Sequence, residues 1–159
     1  MGGHHSQRSR TQTWLTPPHI IDALGPFDLD PCGHPMSATA ATLICLPRDG
    51  LSAPWAGRVW LNPPYGASTW AWLARLADHG DGIALIFART ETAGFVEQVW
   101  GKADAVLFLH GRLFFHDEFG VRAPTNAGAP SCLVAYGKAC VETLESCGLP
   151  GTLVRWNRR

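Results

Sequence analysis

Apolar residues in this chain fall into short blocks of two alternating kinds, and that alternation predicts its architecture. Continuous apolar, β-prone runs at 59–61, 83–87, 105–109 and 132–136 read as strands. The unbroken run at 83–87 fits a strand buried on both faces. Between these runs, apolar positions recur at helical spacing. Trp70, Leu73, Ala74 and Ala77 mark a helix from Ser68 or Thr69 to His79, and another spans 93–100. Nearer the start, Thr16 as N-cap and Pro17 at the first helical position predict a short helix over 18–24, stopped by Gly25 and Pro26. Residues 27–33 read as a strand ending in an acid and a turn, and 43–46 as a further short strand; 35–42 are small and helix-tolerant. Beyond 136 the chain reads as a short helix and a basic tail. Strands alternating with helices imply an α/β fold, with a mostly parallel sheet covered by helices on both faces. The strand at 132–136, linked as a hairpin, is expected to be the last and to run antiparallel.

The polar residues that interrupt this pattern carry the candidate chemistry. Asn62 directly follows the strand at 59–61, at the carboxyl end where open α/β sheets bind their ligands. Pro63 and Pro64 then stop any ladder or helix and hold the chain extended, until Gly66 frees the backbone again. An amide oxygen and a stiffened carbonyl can together accept both hydrogens of a planar amino group, with the Tyr65 ring beside them to stack on the attached heterocycle. The plainer reading is a strand that ends in a Pro-Pro turn. Asp30 sits at the end of another strand, placed for an amine or a ribose hydroxyl. Asp49 is a turn residue that could also meet an adenine ring. The Thr16 hydroxyl and the helix start behind it suit a carboxylate. The segment 112–130 is long for a loop and holds His116, Asp117, Glu118 and Arg122.

Composition narrows the classes. A length of 159 residues suggests one domain, read as 13–159 behind a loose polar arm over 1–12. Hydrophobic residues at 46% against 16% charged exclude a disordered chain. No apolar run reaches membrane-spanning length and no signal peptide opens the chain, so no membrane partner is expected. The odd count of five cysteines favours reduced thiols in a cytoplasm. Cys32, His34 and Cys45 lack the usual ligand spacings, and no metal is expected. A net charge of zero excludes a protein that grips nucleic acid mainly by its phosphates, but leaves room for a local patch. Candidate patches are Arg8 and Arg10, then Arg112 and Arg122, then Arg155, Arg158 and Arg159.

Six blocks of sequence, in order, then add a resemblance. They are Thr16-Pro17-Pro18; Asp28-Leu29-Asp30-Pro31-Cys32; Asp49-Gly50-Leu51 with Trp55; Trp60-Leu61-Asn62-Pro63-Pro64-Tyr65-Gly66; Ala88-Arg89-Thr90; and Gly111-Arg112-Leu113-Phe114-Phe115. Together they resemble the small phage-type DNA adenine methyltransferases, which act on amino groups with S-adenosyl-L-methionine. The resemblance covers 14–136 and implies a Rossmann-like class I methyltransferase fold, reduced in size, in the cytoplasm of a bacterial host. It implies that Asn62, Pro63, Pro64 and Tyr65 hold a flipped adenine. It further implies that Thr16, Asp30, Pro31, Cys32, Gly33 and Asp49 hold the cofactor; Trp14 is a further candidate, read from its aromatic face, which suits the edge of a sulfonium pocket. Arg89, Arg112 and Arg122 would meet double-stranded DNA. The chain departs from larger methyltransferases in lacking a glycine-rich turn, with Cys32-Gly33-His34-Pro35 in its place. It also lacks room for a separate target-recognition domain, which leaves sequence choice to the loop 112–130 or to a second subunit, in a homodimer or with a partner chain. The same residues leave other planar amines open (cytosine N4, RNA adenine, a protein glutamine), as well as a catalytically silent nucleic-acid-binding module or a purely structural or metal-stabilised small protein.

Overall fold

The computed structural model describes residues 14–158, so the arm over 1–12, Arg8, Arg10 and Arg159 lie outside it. Alternation of side chains along the central strands sorts the core into two layers. Val59, Leu61, Ala84 and Ile86 face one side with Leu73, Leu76, Phe95 and Val99. Trp60, Ile83 and Leu85 face the other side with Ile20, Leu24, Cys140 and Leu144. These strands are therefore apolar on both faces, as the unbroken run at 83–87 predicts, and helices cover both sides.

In chain order the elements are α1 (Pro18–Leu24), β1 (Leu29–Asp30), β2 (Thr42–Leu43), β3 (Val59–Leu61), α2 (Thr69–His79), β4 (Gly82–Phe87), α3 (Ala93–Phe95), β5 (Ala105–Leu109), β6 (Ser131–Tyr136), α4 (Lys138–Ser146) and β7 (Gly151–Arg155). A wide π-helical turn, Val96–Trp100, continues α3. The sheet order is β2-β1-β3-β4-β6-β5-β7. Pairings from β2 across to β4 are parallel; those of β6 with β4 and β5, and of β7 with β5, are antiparallel. The result is a mixed α/β sheet, parallel on one side and antiparallel on the other. It also brings the carboxyl ends of β1, β3, β4 and β5, and the loop from β5 to β6, to one edge. No helix among the described residues is long and apolar enough to cross a membrane.

Several expectations are corrected. Pro17 is the N-cap and Pro18 opens α1, so Thr16 does not cap it; its hydroxyl is engaged elsewhere. The strand at 43–46 shrinks to Thr42–Leu43. Beyond Asp30 the β1 chain turns at Pro31 and Cys32, and Ile44 bonds across to it, accepting from the Gly33 N–H at 3.0 Å and donating to the Asp30 carbonyl at 2.9 Å. Residues 35–41 form turns and bends rather than a helix, and Thr42 already belongs to β2. The strand at 132–136 is antiparallel as expected but not the last: the stretch read as a short helix and a basic tail supplies α4 and then β7, which pairs with β5 along its length. As an edge strand, β7 is mostly exposed and carries little apolar pattern to betray it.

Candidate active site

The carboxyl edge of the parallel strands opens into a cavity of about 460 Å³. That size suits a small ligand or cofactor. Trp14, Thr16, Asp30, Pro31, Cys32, Gly33, Asp49, Asn62, Pro63, Pro64 and Tyr65 all line it. The residues singled out from the sequence for catalysis and for the cofactor are thus brought together in one place, from segments far apart in the chain.

β3 delivers Asn62 to this cavity and the two prolines carry the chain outward. The Asn62 Nδ2 donates to the Trp14 carbonyl and to the Thr16 hydroxyl, each at 3.2 Å. A carbonyl can only accept, so the Trp14 partner dictates which end of the amide carries nitrogen. The Oδ1 is left with no donor among the described residues. Thr16 is constrained in the same way. Its oxygen accepts from Asn62 and from the buried Trp60 indole N–H at 3.3 Å, which can only donate. Both lone pairs are taken, so the Thr16 hydroxyl hydrogen must point toward another acceptor.

The prolines divide their carbonyls. The Pro64 carbonyl accepts from the Thr69 hydroxyl at 2.5 Å, tying the motif to the start of α2. The Pro63 carbonyl meets no donor among the described residues. Gly66, with φ of +115° and open space around it, turns the chain into α2. Tyr65 stacks on Phe87 with centroids 4.4 Å apart and planes 12° from parallel, and Phe115 meets its edge at 6.3 Å. One face of the Tyr65 ring is therefore covered, while the residue as a whole remains 37% exposed.

Asp30, only 3% exposed, is the cavity's buried acid. It accepts from the Thr39 hydroxyl, and from the Cys32 N–H at 3.1 Å. Burial outweighs these bonds and raises its pKa to about 6. The Cys32 thiol is pushed up to about 12 by burial and by the nearby Asp30 and Cys45, so it stays protonated. Asp49 behaves first as a turn residue, its Oδ1 accepting from the Leu51 N–H at 3.0 Å. Gly50, next to it, approaches the Pro31 backbone so closely that any Cβ would collide with that carbonyl. The Trp55 indole pins this turn by donating to the Gly50 carbonyl at 2.8 Å. Trp55 stacks on Trp72, itself part of the cavity wall.

The arginines lie elsewhere. Arg112 and Arg122 line a second groove of about 530 Å³ with His19, His110 and His116. Arg122 rests on the Phe114 ring at 4.1 Å. Arg89 lines neither cavity; its guanidinium lies 5.7 Å from the Phe87 ring on which Tyr65 stacks. Sequence reading passes over Thr39 and Trp72. Thr39 sits in a featureless run of small residues, and Trp72 in a helix whose apolar spacing signals only core. Gly50 stands inside the Asp49-Gly50-Leu51 block, and its place in that block was the available signal. Among the described residues no three His, Cys, Asp or Glu side chains gather as a metal site.

Fold and cavity define an α/β protein with a cavity at the carboxyl edge of its parallel strands. The chain matches the family DNA N-6-adenine-methyltransferase (Dam) over residues 3–139, most of its length, and belongs to that family. The reaction of the family is methylation of adenine N6 in DNA. No curated protein and no solved structure matches the chain.

Proposed function

We propose that this chain methylates the exocyclic amino group of adenine in DNA, using S-adenosyl-L-methionine, with the base extruded from the duplex into the Asn62–Tyr65 end of the cavity. A base amino group inside a duplex is out of reach of such an enclosed site, and extrusion costs a few kcal/mol. The observation that carries the reading is the locked amide of Asn62. Its nitrogen is committed to Trp14 and Thr16, so its oxygen is presented as an acceptor beside the unused Pro63 carbonyl.

When bound, the cofactor supplies an electrophilic methyl group on a sulfonium. The residues present fit it. The spare hydrogen of the Thr16 hydroxyl suits its carboxylate, and the buried Asp30 carboxylate suits its ammonium. The turns at Pro31-Cys32-Gly33 and at Asp49 border the space for its adenosine, and the Trp14 ring suits a cation. On the substrate side, Asn62 Oδ1 and the Pro63 carbonyl accept the two amino hydrogens and favour a tetrahedral nitrogen over a planar one. The free face of Tyr65 stacks on the base, with Phe87 behind it as a rigid support. The proton lost from nitrogen leaves to solvent at the open mouth, so no side chain needs to act as a strong base. Arg112, Arg122 and Arg89 contribute contacts to the DNA around this mouth.

The test is direct. Purified protein is incubated with unmethylated plasmid DNA and S-adenosylmethionine, and the DNA is digested to nucleosides for mass spectrometry. N6-methyladenine is the expected product. N4-methylcytosine, or no methylated nucleoside, overturns the reading.

A further inference from the structure

Asp30 is a buried carboxylate that meets no cation of the protein. It is 3% exposed, and no Lys, Arg or His pairs with it among the described residues. A charge in such a place needs hydrogen bonds to be kept at all. Each side-chain oxygen has one: Oδ1 accepts from the Cys32 N–H at 3.1 Å, and Oδ2 from the Thr39 hydroxyl. The first donor is backbone, and any residue but proline at that position would supply it. The second is a side chain nine residues further on. Among the described residues, Thr39 is the only side chain that bonds this carboxylate.

The turn around Thr39 is fastened on both sides. The Ser37 N–H donates to the His34 carbonyl at 2.8 Å. Beyond Thr39, the Ala41 N–H donates to the Phe27 carbonyl and the Thr42 N–H to the Asp28 carbonyl, each at 3.0 Å. Thr39 itself is 7% exposed and lines the same cavity as Asp30. An ionised carboxylate can only accept, so the Thr39 hydroxyl must donate to it. With a donor on each oxygen, the carboxylate cannot rotate without breaking a bond, and its remaining lone pairs are left for a ligand.

We propose that Thr39 is a positioning residue for cofactor binding: it holds the Asp30 carboxylate in the one orientation from which that carboxylate meets the cofactor's ammonium. The proposal rests on the reading of the cavity as a site for S-adenosyl-L-methionine. Asp30 then gains from the ligand the cation that the protein does not supply. The same bond opposes protonation of the carboxyl, whose pKa burial raises to about 6. Losing the Thr39 donor therefore moves protonation of Asp30 to higher pH, and binding is lost earlier as the pH falls. The other titratable groups at this cavity are Cys32, His34, Arg48, Asp49 and Tyr65, with Cys45 acting on Asp30 from outside it.

The test follows binding of S-adenosylhomocysteine, which carries the same ammonium, by titration calorimetry over a pH series. Carboxyl NMR of the free protein follows Asp30 over the same series. Thr39→Val keeps the shape of the side chain and Thr39→Ala makes it smaller; both remove the donor. Each is expected to shift the two midpoints upward by about one pH unit and to bind about tenfold more weakly below them. Above the midpoints Asp30 is ionised in every variant, and a loss of about threefold or more there reads orientation alone. Thr39→Ser keeps the hydroxyl and is expected to stay close to wild type. Asp30→Asn is expected to bind weakly with a flat profile, which assigns the midpoint to this carboxylate and not to His34. Wild-type affinity and midpoints in Thr39→Val and Thr39→Ala overturn the proposal. Equal loss in Thr39→Ser, or a midpoint that persists in Asp30→Asn, overturns it too. If the wild type binds no S-adenosylhomocysteine, with or without duplex DNA, the cofactor reading itself fails and the positioning role with it.

Discussion

Replacing Asn62 by Ala removes the Oδ1 acceptor and withdraws a donor from both the Trp14 carbonyl and the Thr16 hydroxyl. Turnover is expected to fall about a hundredfold or more, by analogy with other lost transition-state hydrogen bonds. Single-turnover methylation with saturating cofactor checks it, and near-normal turnover would take Asn62 out of the mechanism. Asp30 gives a pH signature. A cofactor ammonium favours the ionised carboxylate, but in the free protein the carboxyl takes up its proton as pH falls through about 6. Cofactor affinity is therefore expected to be full above that pH and to drop about tenfold per pH unit well below it. Titration calorimetry between pH 5 and 8, a range chosen to bracket the shifted pKa, reads this directly. Asp30→Asn should bind weakly with a flat profile over the range. At this scale much was legible from sequence, because Asn62, Pro63, Pro64 and Tyr65 are neighbours and their stiffness is local. Thr16 was picked out from the sequence and does line the cavity, but it is not the cap of α1. Two prolines took over the helix start and freed its hydroxyl for Trp60 and Asn62.

Elements position these residues through close backbone approaches more than through length. β1 and β2 are two residues each, so the turns that follow them must hold themselves together. Gly50 against Pro31 is the tightest of these contacts, with Trp55 fastening the turn from outside. Gly50→Ala is expected to cost about 1–3 kcal/mol of stability, as overpacking does, and to weaken cofactor binding as the two turns part. Urea unfolding and calorimetry on the same variant measure both. Unaltered values in both would mean that the turns tolerate separation. The short strands explain the misplacement of 43–46. Its apolar residues read as one run, but Ile44 bonds across to Gly33 and Asp30 where the β1 chain has already turned. β7 was missed for the opposite reason: its order comes from pairing with β5, and its own residues carry no clear alternation.

For the whole molecule, charge and topology work together. A net charge of zero leaves affinity for DNA to patches, and the loop from β5 to β6 lies on the same edge as Asn62 because β5 runs in the direction of β4. Arg112→Ala and Arg122→Ala are each expected to weaken binding to duplex DNA and to lower the salt slope of log K by about 1, whatever the sequence of the duplex. Fluorescence anisotropy over a salt series checks this, with Lys138→Ala on α4 as a control that should leave the slope unchanged.

The sequence by itself determined the alternation of strands and helices, the apolar character of both sheet faces, and the stiff Asn62-Pro63-Pro64-Tyr65 exit from β3. All of these depend on residues within a few positions of one another. Tertiary structure alone decided which way the Asn62 amide faces, because the carbonyl that orients it lies 48 residues earlier, at Trp14. It alone decided that Asp30 is buried enough to titrate near neutrality and that the last residues complete the sheet. Each of these comes from contacts between distant segments, which no local pattern encodes.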